Sequence, residues 1–330
     1  MSETPRADVV IVTWNSARTV GACLSSLLED PSNQPYVQRV VVVDNASHDG
    51  TREVLRRFSG RYPLAVVRNQ RNVGFAAAVN QALGQLSGQH PVLLLNPDVV
   101  VAPHALRTLG EALVRQPDVG LVGPMILRPD GEVDQTCARA DWTLWNLLCE
   151  VFALRRLPAL KRVFGRYRLE HWDHRTAAEV PCVSGAACLV RTGLLTQERG
   201  LDTTIPMYYE DLELCWRTRD LGHRVWYEPK AAVMHVRASS SRLSPHREEL
   251  AVMEEGDARW LALVRTGGRW RGAAATWVIT LASAIRILMY RSLSLAARDQ
   301  RRSHYLDGVA KYRALLRWST QPKPAMTRMP

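Results

Sequence analysis

No C-x-x-C pair occurs among the six cysteines, Cys23, Cys137, Cys149, Cys182, Cys188 and Cys215. Scattered singletons of this kind make neither a disulfide framework nor a zinc site. They read as reduced, mostly buried thiols of a cytosolic protein. No G-x-G-x-x-G follows the first apolar run; the turn there is Thr13-Trp14-Asn15-Ser16, which disfavours a dinucleotide-dependent dehydrogenase. A phosphate-loop lysine motif is also missing, which disfavours an NTPase. The opening residues MSETPRAD are short and polar, so no signal peptide is expected ahead of the first strand. No helix-turn-helix, zinc or RNA-recognition motif accompanies the basic charge, so no nucleic-acid partner is expected.

What is present suits a large globular chain. Its 330 residues are 46% apolar and 23% charged, enough for one large domain with an appendage, or two domains. The net charge of +11 is unevenly placed. Residues 242–330 hold 16 Lys+Arg against 7 Asp+Glu, an excess of nine, which leaves +2 for residues 1–241. The C-terminal quarter therefore carries the cationic surface, which a diphosphate, an acidic lipid surface or nucleic acid could answer.

From Val9 to Gly123 strand and helix patterns alternate. Apolar runs lie at 9–12, 40–43, 64–67, 91–95 and 119–122. Helical spacing fills the intervals at 16–29, through Val54, Leu55 and Phe58, at 74–86 and near 104–115. Such alternation predicts an α/β, Rossmann-like, mainly parallel sheet joined by right-handed crossovers. Residues 91–95 are apolar without alternation, as in a central strand covered on both faces. Asn96-Pro97 ends that strand, so Asp98 stands at the carboxyl edge where open α/β sheets bind ligands. Its alternative role is to cap the helix near Pro103. Asp44 ends the second run within Asp44-Asn45-Ala46-Ser47-His48-Asp49-Gly50. There a carboxylate either accepts from ribose hydroxyls or a base N–H, or closes an Asx-turn. Residues 209–221 read as a helix ended by Gly222, with Glu210 and Asp211 in its first turn. First-turn acids stabilise helices through the macrodipole, which is the structural alternative to a catalytic role. Ser184-Gly185 are small enough to let backbone approach a ligand.

Six motifs in order carry a resemblance. They are Val-Thr-Trp-Asn at 12–15, Val-Asp-Asn-Ala-Ser-His-Asp-Gly-Thr at 43–51 and Asn-Val-Gly-Phe-Ala-Ala-Ala-Val-Asn at 72–80. Asn96-Pro97-Asp98, Ser-Gly-Ala-Ala-Cys-Leu-Val-Arg at 184–191 and Tyr-Tyr-Glu-Asp-Leu-Glu-Leu at 208–214 follow. Together they resemble the inverting family-2 glycosyltransferases of GT-A fold over residues 8–240, and within them the bacterial rhamnosyltransferases that use dTDP-L-rhamnose. The resemblance implies that Asp44, Thr13, Trp14, Asn15, Asn72 and Gly74 line the nucleotide pocket. Asn96 and Asp98 hold the place of the family's D-x-D metal motif, with only Asp98 left as an anionic ligand. His235, after the last core strand, matches the histidine that completes the metal shell; without the resemblance it is an ordinary strand-end residue.

The implied reaction is a single displacement at an anomeric carbon. Charge builds on the leaving diphosphate, where Mg²⁺ or Mn²⁺ neutralises it, and a carboxylate takes the acceptor proton. Asp211 is preferred as that base over Glu210. The expected donor is a dTDP- or UDP-sugar, with L-rhamnose favoured, and the acceptor a lipid-linked glycan or polysaccharide of the cell wall or surface. A non-catalytic sugar-nucleotide or glycan-binding protein on the same fold is the rival.

Residues 125–178 hold Trp142, Trp145, Phe152, Phe164, Tyr167 and Trp172 and read as an acceptor-side lid or an accessory subdomain inserted in a domain at 1–240. Residues 237–246 read as a mobile loop. The tail at 241–330 carries helical patterns near 247–265, 273–298 and 303–318. Its run from Ala273 to Tyr290 is apolar but for Arg286, slightly short of the roughly 20 residues needed to span a bilayer. An interfacial helix with arginines snorkelling to an anionic membrane fits it, as does a helix packed on the catalytic domain or in a homodimer. The first reading places the protein in the cytoplasm, peripheral to the inner face of the cell membrane.

Overall fold

The computed structural model describes residues 4–154, 157, 160–204, 209–236, 252, 256, 257, 259–265 and 267–322. The loop expected at 237–246 and most of 247–258 lie outside them. In chain order the elements are β1 (Ala7–Thr13), α1 (Val20–Leu28), β2 (Val37–Asp44), α2 (Thr51–Ser59), β3 (Leu64–Arg68) and α3 (Phe75–Leu83). Next come β4 (Val92–Leu95), β5 (Val99–Val101), α4 (Ala105–Arg115), β6 (Val119–Leu127), β7 (Ala138–Arg139), α5 (Leu144–Val151) and α6 (Lys161–Phe164). The series closes with β8 (Ala178–Glu179), β9 (Cys182–Val183), β10 (Ala187–Val190), α7 (Glu210–Asp220), β11 (Arg224–His235), α8 (Arg269–Ala296) and α9 (Asp299–Thr320).

These elements form two compact units. The first comprises residues 1–140, 172–203 and 209–241; the second comprises 141–171, 204–208 and 242–330. The aromatic stretch is thus divided at residues 140 and 171, and its central part packs with the tail helices.

The first unit is built on one mixed sheet in the order β3-β2-β1-β4-β10-β6-β11-β5, with β8 pairing β11 off this path. β1 to β4 are mutually parallel, as the alternation predicts. β10 then inserts antiparallel between β4 and β6, a non-local pairing that no sequence period announces. β4 is buried along its whole length, because its Val and Leu side chains are covered on both faces. α1 packs on β5, and its Val20, Leu24 and Leu27 are fully buried with Cys23, each such aliphatic side chain contributing about 1.5–3 kcal/mol. All six cysteines are free, buried thiols.

In the second unit Trp142 stacks on Tyr167 with centroids 3.9 Å apart and is only 2% exposed. It is a core ring, not a sugar platform. α8 starts earlier than the apolar run and continues through Ser-Leu-Ser-Leu-Ala, reaching 28 residues. By length and composition it is long and apolar enough to cross a membrane. α8 packs on α9 and on α5. Arg286 corrects one expectation: it does not snorkel outward but donates to the Tyr312 hydroxyl at 2.7 Å and the Val151 carbonyl at 2.8 Å. These acceptors replace water around a guanidinium that would otherwise be costly to bury.

Candidate active site

Strand register brings the candidate residues to one edge of the sheet. Thr13 pairs with Asp44 at the carboxyl ends of β1 and β2. Ile11 pairs with Leu95, which places Asn96 beside the end of β1. The Asn96 amide donates to the Ala186 carbonyl at 2.9 Å, which ties Ser184-Gly185-Ala186 to the same edge. Gly185 N in turn donates to Asp211 Oδ2 at 2.9 Å. A Cβ on Gly185 would come within 2.9 Å of Asp211 Cβ, so glycine is required for this close approach.

Asp98 and His235 meet through a strand pairing that local sequence does not show. β5 turns back after Asn96-Pro97-Asp98 and pairs antiparallel with β11, His235 opposite Val99. Val236 N donates to the Asp98 carbonyl at 2.9 Å. The result sets His235 Nε2 3.1 Å from Asp98 Oδ1, with both side chains half-buried. Asp98 caps no helix, since α4 begins after His104 and has no side-chain cap. A carboxylate oxygen and an imidazole nitrogen, each about 2.1 Å from one divalent ion on adjacent corners of an octahedron, stand about 3 Å apart. The pair fits as two ligands of such an ion. Among the described residues no group of three or more His, Cys, Asp or Glu is suited to a metal, so ligand oxygens and water would complete the shell.

Asp211 opens α7, which runs Glu210–Asp220 and ends before Gly222 at φ +84°. Leu214 and Cys215 on the same side are buried. They anchor the turn from which the half-buried Asp211 projects. Its Oδ2 also receives Arg139 Nη2 at 2.5 Å. Glu210 is buried, while Asp211 keeps 15% of its side chain exposed and its Oδ1 accepts from Leu212 N at 2.8 Å.

The residues expected at the nucleotide pocket divide by exposure. Asn15 and Asn72 are exposed and Trp14 is half-buried, whereas Thr13 and Asp44 are fully buried. Asp44 Oδ1 accepts from Ser47 N at 3.0 Å, and Oδ2 is 3.1 Å from Arg52 Nε. The Asx-type turn is therefore formed, and Asp44 reaches a base or ribose only by giving up Arg52. Asn15 stitches the first and second loops: its amide donates to Ser47 Oγ at 2.9 Å and its Oδ1 accepts from His48 N at 2.9 Å. Asn72 Oδ1 accepts from Gly74 N at 2.9 Å, holding Gly74 at φ +89°, a left-handed conformation glycine adopts without strain.

Comparison with known proteins now adds to this geometry. The Glycosyltransferase like family 2 pattern matches residues 5–262. The chain belongs to this family. A curated relative, the N-acetylglucosaminyl-diphospho-decaprenol L-rhamnosyltransferase of Mycobacterium tuberculosis, is 30% identical over 327 residues, covering 91% of this chain and 97% of the relative. Among solved structures, a mannosyltransferase from Pyrobaculum calidifontis in complex with GDP-Man and Mn²⁺ superposes with a TM-score of 0.55 at 18% identity, over 97% of this chain and 89% of its own. S. aureus TarS 1-349 in complex with UDP-GlcNAc gives 0.53 at 16%, over 94% and 81%. These structural likenesses establish the GT-A fold, and the protein is a glycosyltransferase.

Several residues that hold the loops of this candidate site carry no role in the sequence reading. Asn45 donates to Asn72 Oδ1 at 2.8 Å, and its Oδ1 accepts from Val73 N at 3.0 Å and Asn69 Nδ2 at 3.1 Å. It fixes the 69–74 loop, and its place beside Asp44 was the available signal. Asp49 accepts from Ala17 N at 3.0 Å. Burial alone would raise its carboxyl, but the Thr51 hydroxyl with the Ala17 and Thr51 amides holds it below the ordinary carboxylate value. Asn80 receives Leu201 N at 2.7 Å and so anchors the chain that leads toward α7. Arg139 had no signal in the sequence. Burial foremost, then Asp98 near Cys23 and Cys215 with Asp211 near Cys188, push both thiols up.

Proposed function

We propose that this glycosyltransferase moves L-rhamnose from a dTDP-linked donor to a lipid-diphosphate-linked sugar, with inversion. The observation that carries the mechanism is the arrangement along one sheet edge, with Asp98 and His235 at one place and Asp211 beside Gly185 at another. The choice of rhamnose and of a lipid-linked acceptor rests on the mycobacterial relative, named as an L-rhamnosyltransferase acting on such a lipid, which aligns over 97% of its length.

In this reading Asn15, Trp14, Asn72 and Gly74 receive the nucleoside, with Thr13, Asp44 and Asn45 holding their loops in place. Asp98 and His235 would hold Mg²⁺ or Mn²⁺, which supplies positive charge against the leaving diphosphate. Ser184 and Gly185 border the sugar. Asp211 accepts the proton of the acceptor hydroxyl as the new C–O bond forms and the bond from the anomeric carbon to the diphosphate oxygen breaks. Arg139 keeps the Asp211 carboxylate aimed at that hydroxyl. The products are the glycosylated acceptor and the nucleoside diphosphate, with the proton on Asp211.

The test is a screen of dTDP- and UDP-sugars, with and without Mn²⁺ or Mg²⁺, for release of nucleoside diphosphate in the presence of a short-chain lipid-diphosphate acceptor. Metal-dependent release from dTDP-rhamnose is the expected result. Release from a UDP-sugar alone replaces the donor while retaining the mechanism. Tight donor binding without any turnover would leave a binding protein.

A further inference from the structure

Six of the eight exposed large apolar side chains described on α8 fall on one face, Met289 and Leu293 lying outside it. Trp270, Trp277, Leu281, Ile285, Leu288 and Leu295 are all exposed, Trp277 to 76% and Leu295 to 85%. At 3.6 residues per turn these positions lie within about 80° of one another around the helix and span roughly 37 Å along it. The opposite face, with Ala275, Ile279, Ala282 and Ile287, is buried, and α8 packs on α9 and α5. A continuous exposed apolar strip of this length is unusual on a monomer and marks an interaction surface.

Charge identifies what covers it. No Asp or Glu occurs between Arg269 and Arg298. Arg269, Arg291 and Arg298 are exposed near the two ends of α8, and on α9 Arg301, Arg302, Lys311, Arg313 and Arg317 are exposed with Asp307. A second copy would bring the same cationic surface against itself, which opposes association. An anionic bilayer presents the opposite sign. Two tryptophans occur in the strip, a residue whose ring sits at the headgroup level with one polar and one apolar edge. A crossing orientation is excluded by the packing, because it would carry the Arg286–Tyr312 hydrogen bond and the charged outer face of α9 into hydrocarbon.

We propose that α8 seats the protein lengthwise in the headgroup plane of an anionic membrane, with the Trp270–Leu295 face inserted and the arginines at its ends against lipid phosphates. The choice of a membrane as partner rests on this charge pattern and, with it, on the lipid-linked acceptor read above; the surface itself rests on α8. This geometry makes binding require both the apolar strip and anionic lipid, with salt weakening the second contribution.

The experiment is cosedimentation of the full chain with vesicles of equal phosphatidylglycerol and phosphatidylcholine, and with phosphatidylcholine alone. Binding to the anionic vesicles should exceed binding to the neutral ones at least tenfold. Trp277→Glu with Leu288→Glu should lower it at least tenfold, as should Leu295→Glu alone, while Leu221→Glu, an exposed leucine of the first unit, should leave it unchanged. Circular dichroism and thermal midpoints check that each variant is folded. Wild-type binding by the folded α8 variants overturns the proposal. So does a lipid-free dimer in sedimentation equilibrium that the same substitutions dissociate, since the strip is then covered by a second copy. Sugar transfer to a soluble acceptor separates the two readings: variants that lose vesicles but keep transfer leave the enzymatic reading intact. Vesicle binding without transfer by the wild type leaves the surface and removes the enzyme mechanism.

Discussion

Arg139 Nη2 lies 2.5 Å from Asp211 Oδ2, although the two residues are 72 positions apart in the chain. Both side chains are mostly buried, with 12% and 15% of their surface exposed. Together with the Gly185 amide on the same oxygen, the guanidinium leaves the carboxylate little freedom of direction.

This relationship sets an order of effects. Asp211→Asn removes the proposed proton acceptor and should lower kcat by about 10²–10⁴-fold with donor affinity preserved. Arg139→Gln leaves the acceptor in place but unaimed, and a displacement near 1 Å costs roughly 10²-fold. Partial recovery by Arg139→Lys in steady-state kinetics is the expected pattern. An inactive Glu210→Gln with an active Asp211→Asn would assign the wrong carboxylate.

The Asp98–His235 pair predicts metal dependence. Asp98→Asn should remove most of the turnover while circular dichroism and the thermal midpoint stay near wild type, because the change is isosteric and the side chain keeps some access to solvent. Calorimetric titration with Mn²⁺ in the presence of nucleoside diphosphate should show weaker binding for Asp98→Asn and for His235→Ala. Full turnover by Asp98→Asn across Mn²⁺ and Mg²⁺ titrations would remove the assignment.

Asp44→Ala should act on both fold and ligand. It leaves the buried Ser47 amide without its acceptor, which costs about 1–3 kcal/mol and lowers the denaturation midpoint. Loosening of the 45–48 turn should weaken dTDP or UDP binding more than it slows turnover at saturating donor. Calorimetry showing unchanged nucleotide affinity takes Asp44 out of the site.

Asp49 predicts a pH dependence with a definite sign. Its folded-state carboxyl lies below the ordinary value, so its ionised form favours the folded state. That contribution is complete above the unfolded value of about 3.9 and is lost as pH falls through the folded one. The stability gap between wild type and Asp49→Asn in urea should therefore be widest near neutrality and close toward pH 3. A gap that widens on acidification contradicts the hydrogen-bonding scheme at the 15–17 and 49–51 loops.

The thiols give a simple check on the core. All six cysteines are buried, and burial pushes Cys23, Cys137, Cys149 and Cys188 up from the free thiol value. Reaction with a thiol-exchange reagent at neutral pH should be slow for the native protein and complete, at six per chain, in denaturant. Fast reaction of the native protein would show that the sheet does not pack as described.

Local pattern by itself determined the parallel half of the sheet, the end of α7 at Gly222 and the position of Asp98 beyond a doubly buried strand. Each follows from side-chain periodicity or from a glycine or proline, which act over a few residues. The apolar character of α8 and the cationic excess around it were legible in the same way, but its length was not, since the run from Ala273 to Tyr290 reads short of a span and the helix reaches 28 residues. Tertiary structure alone decided which distant residues meet. β10 entered antiparallel between β4 and β6, β5 folded back onto β11 to bring His235 to Asp98 across 137 positions, and Arg139 came to Asp211. It also turned Arg286 inward and placed Trp142 in a core. Such contacts depend on the path of the whole chain and on which surfaces remain to be covered, and neither leaves a period in the residues that finally touch.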